Sequence, residues 1–454
     1  MVSRPATVGF RVDASERIGT GHVMRCLTLA DALSERGVQC RFLHRLHEGH
    51  QADLIQKRGY PVLTLRLPPQ ESSSSFEGGY RAWLGVSPAE DARECRQRLG
   101  TETLDWLVVD HYGLASDWQV SMREVAHRMV VLDDLADRAH VADLLVDQNF
   151  FLEPEARYAG LLPESTRLLC GPRYALLQPA YAAARAVQAP REGPVERVLV
   201  FYGGVDANEE TLRALRVLEL PRFAQIELEL VVGARNPRFQ QIVEWAEARP
   251  RTTVHGPRPD LVDLMARADL ALGAGGITTW ERCVLGLPSI VTAIAENQIP
   301  FNQALAAEGA IRFLGEGAQV GDTDLAAALD ELIANPGARA ELAHRAWRIT
   351  DGLGRLRVAE AMIPSQSEEL RLRLAHSEDR ERYFDWANDP LARSQAFQTE
   401  LIPWSTHKEW FARRLADPNT QLWVLETPAG LPVGQARIER EGGRGLLSYS
   451  IDRA

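Results

Sequence analysis

Apolar residues alternate at Val8, Phe10 and Val12, then recur at Val23, Met24, Leu27, Ala30 and Leu33 beyond a polar loop closing on Gly19-Thr20-Gly21. The first spacing predicts a short buried strand and the second one face of a helix. Apolar runs at 39–43, 104–110, 129–134 and 143–146 predict further strands. Such runs, each ending in a short polar cluster, predict a parallel sheet whose carboxyl ends line a ligand crevice. The pattern breaks near 189–193, and a second series starts with runs at 197–204, 227–233, 268–273 and 289–292, followed by a helix predicted over 340–362. Residues 363–367 read as a linker. Beyond them come a strand at 370–374, helices at 377–386 and 405–415, and three strand-like runs at 421–425, 434–438 and 445–451. The last three predict an antiparallel sheet. The fold class expected is therefore α/β: two Rossmann-type domains, 1–190 and 191–363, with a cleft between them, followed by a smaller α+β domain over 368–454. The segment 71–79, with four serines and two glycines, reads as a flexible loop, and no sequence period repeats along the chain.

Composition narrows the classes. A chain of 454 residues, 45% apolar and 25% charged, is an ordinary globular composition with room for two to four domains. A net charge of −11 argues against a nucleic-acid-binding surface. The five cysteines are scattered, odd in number and lack any CxxC, which favours reduced thiols and gives no metal-site signal. With neither an apolar run of about eighteen residues nor a signal-peptide core, the expectation is a cytoplasmic protein without a membrane partner.

The candidate chemistry sits where strands meet glycine-rich turns. His22 falls at the junction of the Gly19–Gly21 loop and the first helix. Free N–H groups and the helix dipole there suit anions and bias the imidazole toward its neutral, basic form. The alternative is a plain Rossmann-type turn with an incidental histidine. In the second series, Gly273-Ala274-Gly275-Gly276 leads into a helix carrying Glu281. Gly275 and Gly276 allow close approach of a diphosphate, and Glu281 suits a ribose diol. Gly203-Gly204 and Gly233 end neighbouring strands of the same series. The amides Asn297-Gln298 and Asn302-Gln303 suit a base edge or sugar hydroxyls, or else a polar cap before a helix. Asp110-His111-Tyr112-Gly113 ends a strand facing the His22 crevice, where His111 either positions a sugar or is satisfied by backbone. Asp133-Asp134 reads as an N-cap for a following helix. No Ser-His-Asp order, Cys-His pair or HExxH motif marks a nucleophile or a metal.

Arg11 to Ser15, Ile18 to His22, Asp110 to Gly113, Cys170 to Tyr174, Gly203-Gly204, and Gly275-Gly276 with Glu281 carry a resemblance over residues 8 to about 355. They resemble the UDP-sugar hydrolases of pseudaminic acid biosynthesis, whose relatives include the MurG-type glycosyltransferases with the GT-B fold. The resemblance implies hydrolysis of a UDP-diacetamido-trideoxy sugar, with water attacking the anomeric carbon with inversion, UDP released, and no metal or other cofactor. It casts His22 as the catalytic base and Tyr112 as an active-site residue. It makes Asp13, Gly19, Gly21, Arg25, His111, Gly203, Gly204, Gly275, Gly276, Glu281, Asn297 and Gln298 candidates for binding substrate. Residues 368–454 resemble the start of a GNAT N-acetyltransferase domain. Such a domain uses acetyl-CoA, and its pyrophosphate loop is expected after a strand ending near Ile451, where the sequence stops, so this part is expected to be incomplete and Leu446, Leu447 and Tyr449 to lie on an exposed edge. Two rival readings of the larger part are a glycosyltransferase with a sugar acceptor and a non-catalytic UDP-sugar-binding protein. No basic amphipathic patch for a lipid-linked acceptor is evident, which weighs against the first.

Overall fold

The computed structural model describes residues 4–67, 79–188, 191, 193–206, 208–395 and 398–452. The serine-rich stretch 71–78 lies outside them, as does part of the break at 189–193. The chain divides into two compact units, residues 1–358 and 359–454.

The larger unit holds two parallel sheets. The first contains β1 (Thr7–Val12), β2 (Gln39–Arg45), β3 (Val62–Leu65), β4 (Leu104–Asp110), β5 (Ala126–Leu132), β6 (Leu144–Asp147) and β7 (Arg167–Cys170), in the order β3-β2-β1-β4-β5-β6-β7. The second contains β8 (Arg197–Phe201), β9 (Glu227–Val231), β10 (Thr252–His255), β11 (Leu270–Ala274), β12 (Ser289–Ala293) and β13 (Arg312–Glu316), in the order β10-β9-β8-β11-β12-β13. Each order reverses beside its first strand, and such switch points open a crevice at the carboxyl ends of the strands.

Burial explains which strands were legible. The central strands β1, β4 and β11 are buried along nearly their whole length, as strands covered by helices on both faces must be. The four strands that no apolar run announced, β3, β7, β10 and β13, are the edges of the two sheets. They are short and only partly buried, so their sequences carry no continuous apolar signal.

The helix following β1, α1 (Gly21–Ser34), buries Val23, Cys26, Leu27, Ala30 and Leu33. Glycine at position 9 of β1 leaves room for the neighbouring strand's Leu104, whose Cδ1 would lie 2.5 Å from a Cβ there. Two findings adjust the expected boundaries. Ala175, Leu177 and Tyr181 pack into the core of the second sheet, so the chain changes core soon after β7, ahead of 190. The single helix expected over 340–362 is two, Pro336–Ile349 and Gly354–Met362. Between them Thr350 is extended and Gly352 takes φ +78°, a left-handed value that interrupts a helix. In the second of the two, Arg355 pairs with Glu35 beyond the end of α1 at 3.0 Å.

The smaller unit is a four-stranded antiparallel sheet, β14 (Arg371–Leu374), β15 (Thr420–Glu426), β16 (Pro432–Glu441) and β17 (Arg444–Ile451), in sequence order. Helices at Arg380–Ala387 and Trp404–Ala416 supply Tyr383, Trp386 and Phe411 to a small core with Leu422 and Val424. On the edge strand β17, Leu446, Leu447 and Tyr449 are exposed. No helix among the described residues is long and apolar enough to cross a membrane.

Candidate functional site

Four of the first sheet's central strands end in aspartate: Asp13 just beyond β1, Asp110 closing β4, Asp133-Asp134 beyond β5, and Asp147 closing β6. Each carboxylate is matched by arginine, and the pairs divide into two groups with different consequences.

The first group is closed to solvent. Arg11 and Asp13 are fully buried and joined by two hydrogen bonds of 2.6 and 2.8 Å. Arg11 also bonds Asp91, and the Arg45 backbone N–H donates to Asp13 at 2.7 Å. Burial opposes the charge on Asp13, but the Arg11 guanidinium outweighs it and holds the carboxyl well below the usual range. Asp13 is therefore spent inside the domain and does not reach a substrate. His111 belongs here too. Its Nδ1 accepts from the Gly113 N–H at 3.0 Å, and burial pushes its pKa down to about 3. It is a buried neutral histidine, 4% exposed, whose Nε2 lies 3.5 Å from Asp13 and has no hydrogen-bond partner among the described residues.

The second group is open at one end. Ser15 accepts from Gly19 N at 2.9 Å, and Gly19 takes φ +78°, closing the loop that delivers His22 to the first turn of α1. His22 Nδ1 lies 2.6 Å from Asp110 Oδ1. Arg25, one helical turn on, grips both Asp110 oxygens at 2.7 Å and reaches Asp134 at 2.8 Å. The Tyr112 hydroxyl donates to Asp134 at 2.6 Å, and the Tyr112 ring stands edge-on to the His22 ring at 4.8 Å. The result is one continuous network, His22–Asp110–Arg25–Asp134–Tyr112. Burial opposes ionisation of Asp110, but Arg25 and then His22 overcome it and keep the carboxyl well below its usual range. An ionised Asp110 accepts the Nδ1 proton and leaves the Nε2 lone pair of His22 free, the arrangement of an oriented general base.

The network corrects two expectations. Arg25 is buried and committed to two carboxylates, so it positions His22 and does not bind substrate. No helix follows Asp133-Asp134, so the pair caps nothing. Asp133 instead bonds Ala136 N and pairs with Arg138, while Asp134 ties Arg25 to Tyr112. Asp110 and Asp134 are the network residues for which the sequence suggested no catalytic or binding role. The one signal for Asp110 was its place at the end of a buried strand beside His111-Tyr112, and nothing local distinguished Asp134 from a cap.

In the second sheet, Gly203 takes φ +98°, and a Cβ on Gly233 would overlap the Gly204 carbonyl, so these two strand ends touch through glycine alone. The Gly275-Gly276 turn is held from behind. Asn302 is fully buried and donates to the Gly275 carbonyl at 3.0 Å and to the Gln298 carbonyl at 2.6 Å. A Cβ on Gly275 would strike the Asn302 amide. Glycine at 275 is thus required by Asn302, and Asn302 is not free to read a base. Gln298 Oε1 accepts from Ile294 N at 3.0 Å, leaving its amide nitrogen beside Gly276. Asn297 is half-buried. Glu281 follows in the helix Thr278–Val284. Burial pushes its pKa up to about 7 against the hydrogen bond from Tyr181. Among the described residues, no group of three or more His, Cys, Asp or Glu side chains is placed to hold a metal ion.

No family model matches the chain. It is 23% identical to the spore coat polysaccharide biosynthesis protein SpsG of Bacillus subtilis, over 80% of this chain and 99% of that one. It is 25% identical to the UDP-2,4-diacetamido-2,4,6-trideoxy-beta-L-altropyranose hydrolase of Campylobacter jejuni, over 52% of this chain and 73% of that one. It is 27% identical to the UDP-N-acetylglucosamine–N-acetylmuramyl-(pentapeptide) pyrophosphoryl-undecaprenol N-acetylglucosamine transferase of Acidithiobacillus ferrooxidans, over 76% and 94%. Among solved structures, Acinetobacter baumannii MurG superposes with a TM-score of 0.54 at 16% identity, covering 79% of this chain and 99% of that one. The larger unit thus has the GT-B-like α/β fold.

Proposed function

We propose that the chain hydrolyses a UDP-linked diacetamido-trideoxy sugar of the kind used in pseudaminic acid biosynthesis, releasing UDP and the free sugar. The observation that carries this reading is the His22–Asp110 pair. His22 Nε2 removes a proton from water as the water oxygen bonds to the anomeric carbon. The bond from that carbon to the diphosphate oxygen breaks on the opposite face, so configuration inverts and UDP departs with the electron pair. Asp110 stabilises the imidazolium that forms, and Arg25 keeps Asp110 ionised. The hydrolase among the relatives supports this reading. The test is phosphorus NMR of the purified protein with a panel of UDP-diacetamido sugars and no acceptor. Appearance of UDP supports hydrolysis. UDP release only when a sugar acceptor is added favours the second reading, a glycosyltransferase, for which the transferase relative speaks.

In this reading UDP lies against the second sheet, with Gly203-Gly204 and Gly276 at the diphosphate, the Gln298 amide nearby and Glu281 at the ribose. Glu281→Ala is expected to weaken UDP binding by about 1–3 kcal/mol, the cost of lost hydrogen bonds to a charged group. Calorimetry with an unchanged affinity in a folded variant refutes the assignment. The Glu281 carboxyl is neutral below about pH 7, and ribose hydroxyls donate to its ionised form. Uridine affinity is therefore expected to rise as pH rises through about 7 and to lose that dependence in Glu281→Gln.

A chain shortened to end at Pro364 retains the whole helix Gly354–Met362 and the larger compact unit. It is expected to release UDP at the rate of the 454-residue chain. Loss of turnover on shortening, with the remaining domain folded by circular dichroism, rules out independence of the two units.

A further inference from the structure

We propose that Tyr80 and Trp83 form, with Tyr112, an aromatic wall beside His22 that selects a sugar with an apolar edge, one bearing methyl where common hexoses bear hydroxymethyl. The inference rests on the reading of the chain as acting on a UDP-linked sugar.

The wall is built into the fold. The short 3₁₀ segment Gly79–Leu84 lies on the carboxyl end of β4, anchored by Leu84, which is fully buried in the first core. Gly113 lets it lie there, because a Cβ at that position would come within 3.0 Å of the Tyr80 carbonyl oxygen. The Trp83 ring stacks over Tyr112 at 5.6 Å and 26°. Tyr80 stands edge-on to both, 4.8 Å from Trp83 and 5.0 Å from Tyr112. Tyr112 is buried and touches His22 on its other flank, so the wall is continuous with the proposed base.

Tyr80 and Trp83 are only half-buried. Large rings left part in water beside a polar pair gain when an apolar edge covers them. A sugar whose anomeric carbon is presented to His22 therefore lies beside these rings. A hydroxyl turned onto the ring faces exchanges water for carbon, whereas a methyl there loses nothing.

The full-length protein, Trp83→Ala, Trp83→Phe and Tyr80→Ala are titrated by calorimetry with three probes: UDP, UDP-N-acetylglucosamine, and its analogue with methyl in place of hydroxymethyl. The wild type is expected to bind the methyl analogue roughly 10–100-fold more tightly than the hydroxymethyl sugar, the range of discrimination by a hydrophobic pocket. Trp83→Ala and Tyr80→Ala are expected to bring that ratio near one, and Trp83→Phe to retain part of it, with UDP affinity unchanged throughout. An unchanged ratio in Trp83→Ala overturns the wall, as does an equal loss for all three probes, which marks a purely structural role. A wild type that binds UDP without preference between the sugars overturns the wall alone. A wild type that binds no UDP overturns the parent reading with it.

Discussion

His22→Asn is expected to lower the rate of UDP release by about 10²–10⁴-fold, the range for loss of a general base, while leaving UDP affinity as it was. Asparagine retains a polar side chain at the start of α1 but has no lone pair basic enough to take a proton from water. Asp110→Asn is expected to act in the same direction. The amide no longer fixes the Nδ1 proton or stabilises the imidazolium, and Arg25 is left with Asp134 as its remaining charged partner. UDP affinity separates the two halves of the site, because every group assigned to UDP lies on the second sheet. Initial rates by phosphorus NMR, with UDP titrated calorimetrically, check both variants. A folded His22→Asn protein that turns over like wild type removes His22 from the mechanism. A slow Asp110→Asn protein with a fast His22→Asn protein would move the base elsewhere in the network.

The second large effect falls on stability. Asp13→Ala is expected to destabilise the larger unit by about 3–5 kcal/mol, the cost of breaking a buried ion pair by removing one partner. Three donors converge on this carboxylate, two from Arg11 and the Arg45 backbone N–H, and none is exposed to find water in its place. Arg11 would then keep only Asp91, which Arg45 also holds alongside Glu94, and the two Arg11 donors that faced Asp13 would be left buried without that acceptor. Asp13→Asn, which still accepts a hydrogen bond, is expected to fall between Asp13→Ala and wild type. Thermal unfolding of the three proteins measures the order. Rates per folded molecule decide the role: a variant that melts like wild type yet binds the UDP-sugar poorly would restore Asp13 as a substrate contact.

Much of the site was written locally. A strand, a glycine-bearing loop and a helix start place His22 by chain connectivity alone, and Asp110 to Gly113 announces itself as the end of a buried strand. What could not be read was which of several similar residues faces outward. Asp13 and Asp110 both end central strands, and each has an arginine nearby in sequence or space. Only packing shows that Asp13 is enclosed by Arg11 and Arg45, while Asp110 looks through His22 to the crevice. Likewise, His111 and Tyr112 are adjacent, yet one turns onto the Gly113 backbone and the other onto Asp134. Asp134 resembled a cap because its sequence neighbours allow one. Its true partners, Arg25 and Tyr112, are 109 and 22 residues away.

By itself the sequence determined the interior strands, the helix that follows the first of them, the parallel character of the first two sheets and the antiparallel character of the third. A strand buried on both faces must be apolar throughout, and a strand buried on one face must alternate, so burial leaves its mark on residue order. The tertiary structure decided the rest. It added the four edge strands, whose hydrogen bonds come from a neighbour and whose half-exposed side chains leave no such mark. It assigned Ala175 to Tyr181 to the second core, because an apolar segment does not encode which of two cores it joins. It also turned single charged residues into a closed ion cluster and an open one, since charge pairing acts through space across separations that no local pattern records.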